Sequence, residues 1–400
     1  MKRLCANPWN TAYISGNGDV TYCCFSNYGP VGNIKRQSLE AVWRSSAIGK
    51  VRNALARGRF IEAGCDESCR IYRWYQFYGA AEGRPALPKG QGRLEDFADE
   101  NPILPRLIGL EIDGRCNLRC THCCKTPGPL KGMEPGDLDA LWPAIAGASM
   151  VRFRGGEFSI NEQAYAILDR IASLRKQPTV FLNTNGQTSL NRYLDHVENL
   201  RSFHLKFSLE GIGPGYERVR AGGSWERFDA HVREAKRVAD KKRSEGKDWQ
   251  VLFNYCAMRS NFRCIPEAVA YAAKLNISIL INTIVGVKNT TENMFVYGHL
   301  KPDESEIEST INAIDAELAS ANSYSFTNEV SINARYIMDV LRMPKISLSQ
   351  KSIETIRRRV GPKNADRLLF MLYKFDCDKR SLMFYLFRGF QKRLARLIRH

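Results

Sequence analysis

The sequence predicts an α/β fold built from repeated βα units on a parallel sheet. Two observations carry that expectation. Six apolar, strand-like runs recur at a spacing of roughly 30 residues from Arg106 onward, and a stretch with helical periodicity separates each run from the next. A third feature, a cysteine-rich segment ahead of the first run and set off by glycine and proline, adds a smaller domain. With 400 residues and 44% hydrophobic content, two or three domains of about 100–200 residues each can be filled.

The strand-like runs are "RLIGLEI" from Arg106, "MVRFRG" from Met150, "PTVFLNT" from Pro178, "SFHLKFSL" from Ser202, "WQVLFNYCAM" from Trp249 and "ISILINTIV" from Ile277. Helical stretches between them include "NEQAYAILDRIASLRK", "SWERFDAHVREAKRVADKK" and "IPEAVAYAAKL". Periodicity does not choose between an open doubly wound sheet and a barrel. In either, sites are expected at the carboxyl ends of the strands. Residues 1–78 form the cysteine-rich segment, 79–104 read as a linker, 105–300 hold the βα units, and 301–400 turn helical.

The formal charge is +17, but residues 351–400 carry fourteen Lys or Arg against four Asp or Glu. A charge excess concentrated in a tail argues against general nucleic-acid binding. Within that tail Met383, Leu386, Phe387, Phe390, Leu394, Leu397 and Ile398 share one helical face, with Arg388, Lys392, Arg396 and Arg399 opposite. Such a helix can pack on the barrel, dock a partner or lie on an anionic membrane surface. No apolar run approaches the roughly 20 residues of a membrane span, and the opening "MKRLCANPWN" lacks the long apolar core of a secretory signal. The expected address is the cytoplasm, with the tail as a route to peripheral contact at the inner membrane surface. In that compartment the twelve cysteines point to metal ligation or catalysis more than to disulfides.

In "DGRCNLRCTHCCKTPG", Asp113 to Gly128, the cysteines Cys116, Cys120 and Cys123 follow the first strand at Cys-x3-Cys-x2-Cys spacing. Thiolates suit zinc and iron-sulfur sites. A structural zinc closes with four protein ligands, which Cys124 or His122 could complete; three thiolates alone leave a position open. The next strand ends in "RGGEF", where Gly155 and Gly156 allow close backbone approach and Glu157 can accept from an ammonium.

The three-cysteine loop followed one βα unit later by "GGE" resembles the radical S-adenosylmethionine (radical SAM) enzymes, over roughly residues 105–290. The resemblance implies a partial (β/α)6 TIM-like barrel and a 4Fe-4S cluster on Cys116, Cys120 and Cys123, with the amino and carboxylate groups of S-adenosyl-L-methionine (SAM) on the fourth iron. It implies SAM contacts from Gly155, Gly156 and Glu157. It places His122 near the adenine and Ser208 and Glu210 of "FSLEG" near the ribose, although many relatives carry Asp where Glu210 stands. Arg220, in "YERVRAGGSWERF", is a candidate partner for a carboxylate of SAM or substrate. Asn185, with Asn183, ends the third strand in "LNTNG", a turn that can also face the pocket.

Upstream, "CANPWNTAYISGNGDVTYCCF" and "GCDESC" resemble the SPASM or twitch-type auxiliary cluster domain, with "GNGDV" as a hairpin turn and "SLEAVW" as its helix. The resemblance implies a second, auxiliary 4Fe-4S cluster on Cys5, Cys23, Cys65 and Cys69, with Cys24 as rival to Cys23. Two departures stand out: the module precedes the barrel, and its closing pair is Cys-x3-Cys. Four thiolates would leave no open iron, so the cluster would relay an electron or brace the site.

The family reaction is reductive cleavage of SAM to a 5′-deoxyadenosyl radical that abstracts a substrate hydrogen, served by a one-electron reductant of the flavodoxin or ferredoxin kind. With the auxiliary cluster assisting, the net result would be oxidation or modification of a peptide or protein side chain, or of a carbohydrate or lipid-linked glycan. The competing class is a non-catalytic iron-sulfur or zinc protein that binds nucleic acid; "GGE" and six βα units speak against it.

Overall fold

The computed structural model describes residues 5–23, 28–65, 69, 104–123, 132–284, 291–295 and 300–321, with residues 334, 337, 338, 341 and 358. Its strands are β1 (Thr11–Ile14), β2 (Asp19–Thr21), β3 (Gly32–Asn33), β4 (Leu107–Glu111), β5 (Met150–Arg154), β6 (Thr179–Thr184), β7 (Ser202–Ser208), β8 (Asp248–Ala257) and β9 (Ser278–Thr283). They form one sheet in the order β3-β2-β1-β4-β5-β6-β7-β8-β9. All six apolar runs become strands β4 to β9, each parallel to the next. The order is linear, so the parallel run does not close on itself.

Burial alternates along these strands. On β7, Phe203, Leu205 and Phe207 are buried while His204, Lys206 and Ser208 are half-buried; on β8, Trp249, Val251, Phe253 and Tyr255 alternate with Gln250, Leu252 and Asn254. A parallel sheet covered equally on both faces reads as continuous apolar runs. Here one face is apolar and packs under helices such as Trp225–Ser244 and Ile265–Lys274, which bury Phe228, Val232, Ile265 and Val269. The opposite face, the lumen, keeps polar and charged side chains.

Local chemistry sets the helix boundaries. Ser224 begins Trp225–Ser244 by accepting from the Arg227 backbone N–H, and Asp303 does the same for the Glu306 N–H in Glu304–Ala319, as short oxygen-bearing side chains do at helix starts. The helix Pro135–Gly147 between β4 and β5 carries Pro143 in its interior, a residue that ordinarily argues against a helix.

The cysteine-rich segment is not a separate layer. After the hairpin β1–β2, turned through "GNGD" as expected, β1 pairs in parallel with β4 from Thr11↔Leu107 to Ile14↔Leu110. The Tyr13 ring lies over Gly109, where an added Cβ would stand 2.1 Å from Tyr13 Cδ1. The "SLEAVWRSSAIGKVRNALARG" stretch splits into Leu39–Trp43 and Ser46–Ala56, which bury Val42, Trp43, Ile48 and Val51 in the hydrophobic cluster that also contains the β4–β9 residues. The 79–104 stretch up to residue 103, most of the C-terminal region and the basic tail fall outside the described residues. Among the described residues, no helix is long and apolar enough to cross a membrane.

The Gly109–Tyr13 contact makes a stability prediction. Gly109→Ala should cost about 1–3 kcal/mol, the usual range for overpacking, and lower the denaturant midpoint measured by circular dichroism.

Candidate functional site

The cysteine loop leaves the carboxyl end of β4, and the turn after β5 holds it. Gly156 N–H donates to Asp113 O at 3.1 Å, and Glu157 N–H donates to Arg115 O at 2.7 Å. A Cβ on Gly156 would lie 1.7 Å from Arg115 O, and one on Gly155, at φ +111°, 2.6 Å from Asp113 O. The glycines therefore serve close approach, as expected, but the backbone that approaches is the cysteine loop itself. Arg119 N–H donates to Ala221 O at 2.9 Å and Thr121 N–H to Val219 O at 3.0 Å, so a second loop holds the far side. Asp113 accepts from Arg115 and from Asn161 Nδ2 at 2.8 Å.

Glu157 takes a different employment from a free acceptor. Its carboxylate accepts from Ser159 Oγ at 2.8 Å, Thr184 Oγ1 at 2.9 Å and Asn185 N–H at 2.7 Å, and it is buried. Burial pushes its carboxyl above the ordinary value while these donors pull the other way. The side chain ties the end of β5 to the end of β6.

Glu210 and Arg220, singled out separately in the sequence, are brought together as a buried ion pair, Arg220 Nε to Glu210 Oε2 at 2.5 Å. Arg220 Nη1 then donates to Cys120 Sγ at 3.4 Å. Burial opposes the Arg220 charge, but the Glu210 carboxylate outweighs it and holds the guanidinium above its ordinary pKa. Burial likewise pushes the Cys120 thiol up against the pull of Arg220, and pushes the imidazole of His122 down.

Asn185 Nδ2 reaches the same loop, donating to Asn117 Oδ1 at 2.7 Å and to Cys116 Sγ at 3.7 Å. Asn183 donates to Phe153 O at 3.2 Å. Ser208 is half-buried at the lumen end of β7, in register with Asn254. Cys116 and Cys123 are exposed and Cys120 half-buried; Cys124 lies outside the described residues.

Among the described residues no three His, Cys, Asp or Glu side chains converge as ligands of a single ion would. A four-iron cluster instead receives each thiolate on its own iron, which suits three cysteines spread along one pinned loop. N–H donors already aimed at Cys116 and Cys120 suit thiolate charge. Glu210 Oε1 is buried and has no hydrogen-bond partner among the described residues. It is an acceptor for a hydroxyl such as a ribose offers. The donor set fits the cluster and SAM.

The comparisons agree with that fit. Residues 110–242 match the radical SAM superfamily. The chain carries a radical SAM domain. Residues 5–70 match SPASM, an iron-sulfur cluster-binding domain, which therefore precedes the radical SAM match in the sequence. The cofactors of these two domains are a 4Fe-4S cluster with SAM and additional iron-sulfur. GTP 3′,8-cyclase of Streptomyces coelicolor is 35% identical over 116 residues, covering 27% of this chain and 33% of that protein. The Mycobacterium ulcerans GTP 3′,8-cyclase is 32% identical over 121 residues, 25% of this chain and 33% of that protein. The chain spans about a third of the length of these curated relatives. A crystal structure of Streptococcus suis SuiB bound to precursor peptide SuiA aligns with a TM-score of 0.41 at 14% identity, covering 70% of this chain and 62% of that one.

In the auxiliary domain Cys5, Cys23, Cys65 and Cys69 are half-buried and pack against the common hydrophobic cluster. Asn7 Nδ2 donates to Cys23 Sγ at 3.7 Å, and Tyr22 Oη donates to Ala63 O, closing the hairpin onto the segment that carries Cys65. Cys24 lies outside the described residues.

Sequence reasoning did not single out Arg152, Arg154, Phe181 and Lys206, which register and ring contacts bring together on the lumen face. The signal was available in the alternation of "VRFR" and "HLKFS", where charged residues interrupt runs that a fully covered parallel strand would keep apolar.

Two substitutions test the construction. Gly156→Ala forces the Arg115 carbonyl aside, and iron retained after anaerobic reconstitution should fall from about eight to about four per chain, taking four irons per cluster. Arg220→Met leaves Glu210 buried without its partner and should cost about 3–5 kcal/mol, measured as a lowered denaturant midpoint.

Proposed function

We propose that this chain is an enzyme that reductively cleaves SAM and abstracts a hydrogen from a peptide or protein side chain, with an auxiliary 4Fe-4S cluster assisting oxidation or modification of the substrate. The observation that carries the reading is the three-cysteine loop pinned to the Gly155–Gly156 turn by the two backbone hydrogen bonds and to Arg220 through Cys120. A one-electron-reduced cluster held there with SAM would supply a 5′-deoxyadenosyl radical able to attack unactivated C–H bonds, chemistry beyond side chains alone.

The protein's part is to bind, orient and exclude water. Cys116, Cys120 and Cys123 would hold the cluster at the mouth of the lumen. Asn185 and Arg220 would keep two of those thiolates charged and oriented through N–H donors. Gly155 and Gly156 fix the loop height, and their carbonyls are the backbone acceptors available to the SAM ammonium; Glu157 supports them from behind. Glu210 Oε1 would take a ribose hydroxyl, with Ser208 near the ribose and His122 near the adenine. Cys5, Cys23, Cys65 and Cys69 would hold the auxiliary cluster, and a flavodoxin- or ferredoxin-like protein would deliver the electron. A peptide substrate accords with the SPASM domain. The second reading is a small phosphorylated substrate, which the sequence match to GTP 3′,8-cyclases favours.

Reduced, cluster-loaded protein given SAM should release 5′-deoxyadenosine, detected by chromatography, and Cys120→Ala should abolish the release. Wild-type protein with intact clusters that forms none would overturn the proposal.

A further inference from the structure

The lumen face of the parallel sheet carries a row of cations. Strand register places Gly109, Arg152, Phe181, His204 and Gln250 side by side, and Glu111 beside Arg154, then Asn183 beside Lys206 one step nearer the carboxyl ends. Arg152 lies over the Phe181 ring with its guanidinium carbon 4.4 Å from the centroid, and Lys206 Nζ stands 5.2 Å from the same centroid. Arg154 lies over Tyr13, 4.4 Å from its centroid. It lines a cavity of about 390 Å³ whose wall includes Tyr13, Gly109, Glu111 and Asp113.

Cations taken from water ordinarily meet carboxylates or hydrogen-bond acceptors, and Arg220 with Glu210 shows this protein doing so. Arg152 and Arg154 do not. Arg152 Nε is buried without a hydrogen-bond partner, and among the described residues neither guanidinium has an ion pair; ring faces alone support them. Two of the nearby carboxylates are engaged elsewhere. Asp113 is held by Arg115 and Asn161, and Asp19 by Asn17 and Asn33. Like charges two residues apart on one strand repel, and among the described residues no carboxylate pairs with either arginine to offset that repulsion.

We propose that Arg152 and Arg154, with Lys206 beside them, form an anion-binding subsite on the lumen floor that takes a carboxylate or phosphate of the substrate. A guanidinium offers the paired donors that both groups accept. Arg154 directly precedes the Gly155–Gly156 turn that is bonded to the cysteine loop, so a substrate held there lies beside the reacting centre. That last step rests on the proposed reaction; the anion site itself does not.

Isothermal titration of the anaerobically reconstituted full chain tests the proposal without SAM turnover. Inorganic pyrophosphate probes the phosphate source and a glutamate-rich pentapeptide the carboxylate source. At least one should bind the wild type, and Arg152→Gln and Arg154→Gln should each weaken that probe by about tenfold or more, as loss of one partner of a buried charge pair does. Arg170→Gln, which removes an outer cation paired with Asp139, should leave it unchanged. Arg154→Lys keeps the charge but not the paired donors, and an intermediate loss there keeps the result readable if a Gln variant fails to fold. Absence of binding by both probes, or equal weakening by Arg170→Gln, would overturn the subsite. A wild type that binds anion but releases no 5′-deoxyadenosine would overturn the reaction and leave the subsite standing.

Discussion

Gly156 has room for a hydrogen against the Arg115 carbonyl and for nothing larger, and the rest of the site depends on that approach. It lets the N–H groups of Gly156 and Glu157 bond to the cysteine loop, in effect extending the β4–β5 pairing past the strand ends. A loop with exposed thiols has little apolar area to hold it in place. Its position must come from hydrogen bonds to a neighbour that is itself fixed, and the β5 turn is fixed because Glu157 is clamped by Ser159, Thr184 and Asn185. The three residues of "GGE" thus act first as a bracket.

The second bracket is electrostatic. Arg220 joins a buried carboxylate to a thiol on a loop one hundred residues earlier in sequence. Removing charges from water is costly, and a buried pair is weak evidence for stability by itself. Its value here lies in geometry: Glu210 fixes the guanidinium, and the guanidinium leaves a donor aimed at Cys120. Among the described residues the same pairing leaves Glu210 Oε1 buried without a partner, so one ion pair both orients the Cys120 thiol and leaves a buried acceptor beside it.

The six strands of the parallel run were legible because each is a short apolar run flanked by helical periodicity, and the cysteine loop because its spacing is local. Partnerships across distance were not. Nothing in the spacing of Cys120 and Arg220 announces a contact, and Glu157 reads as a free acceptor until β6 brings Thr184 and Asn185 alongside. Pairing of β1 with β4 depends on a bare position, Gly109, accepting the Tyr13 ring, a complementarity visible only when both strands are placed. Pro143 stands inside the helix Pro135–Gly147, where a local preference against helix is overruled by the packing of Leu138, Leu141 and Ile145.

One pattern was legible but read for too little. Alternation in "VRFR" and "HLKFS" marks a sheet with only one face under helices, and the charges on the other face say what that face is for. Arg152 and Arg154 gain little by packing on rings alone, since a cation over an aromatic face recovers about 0.5–2 kcal/mol, less than full desolvation of a charge costs. A protein that keeps two such groups beside its most tightly held loop is keeping them for a ligand. The lumen is therefore the part of this fold where stability was conceded, and the contrast between the satisfied Glu210–Arg220 pair and the unsatisfied β5 arginines separates what positions the chemistry from what selects the molecule it acts on.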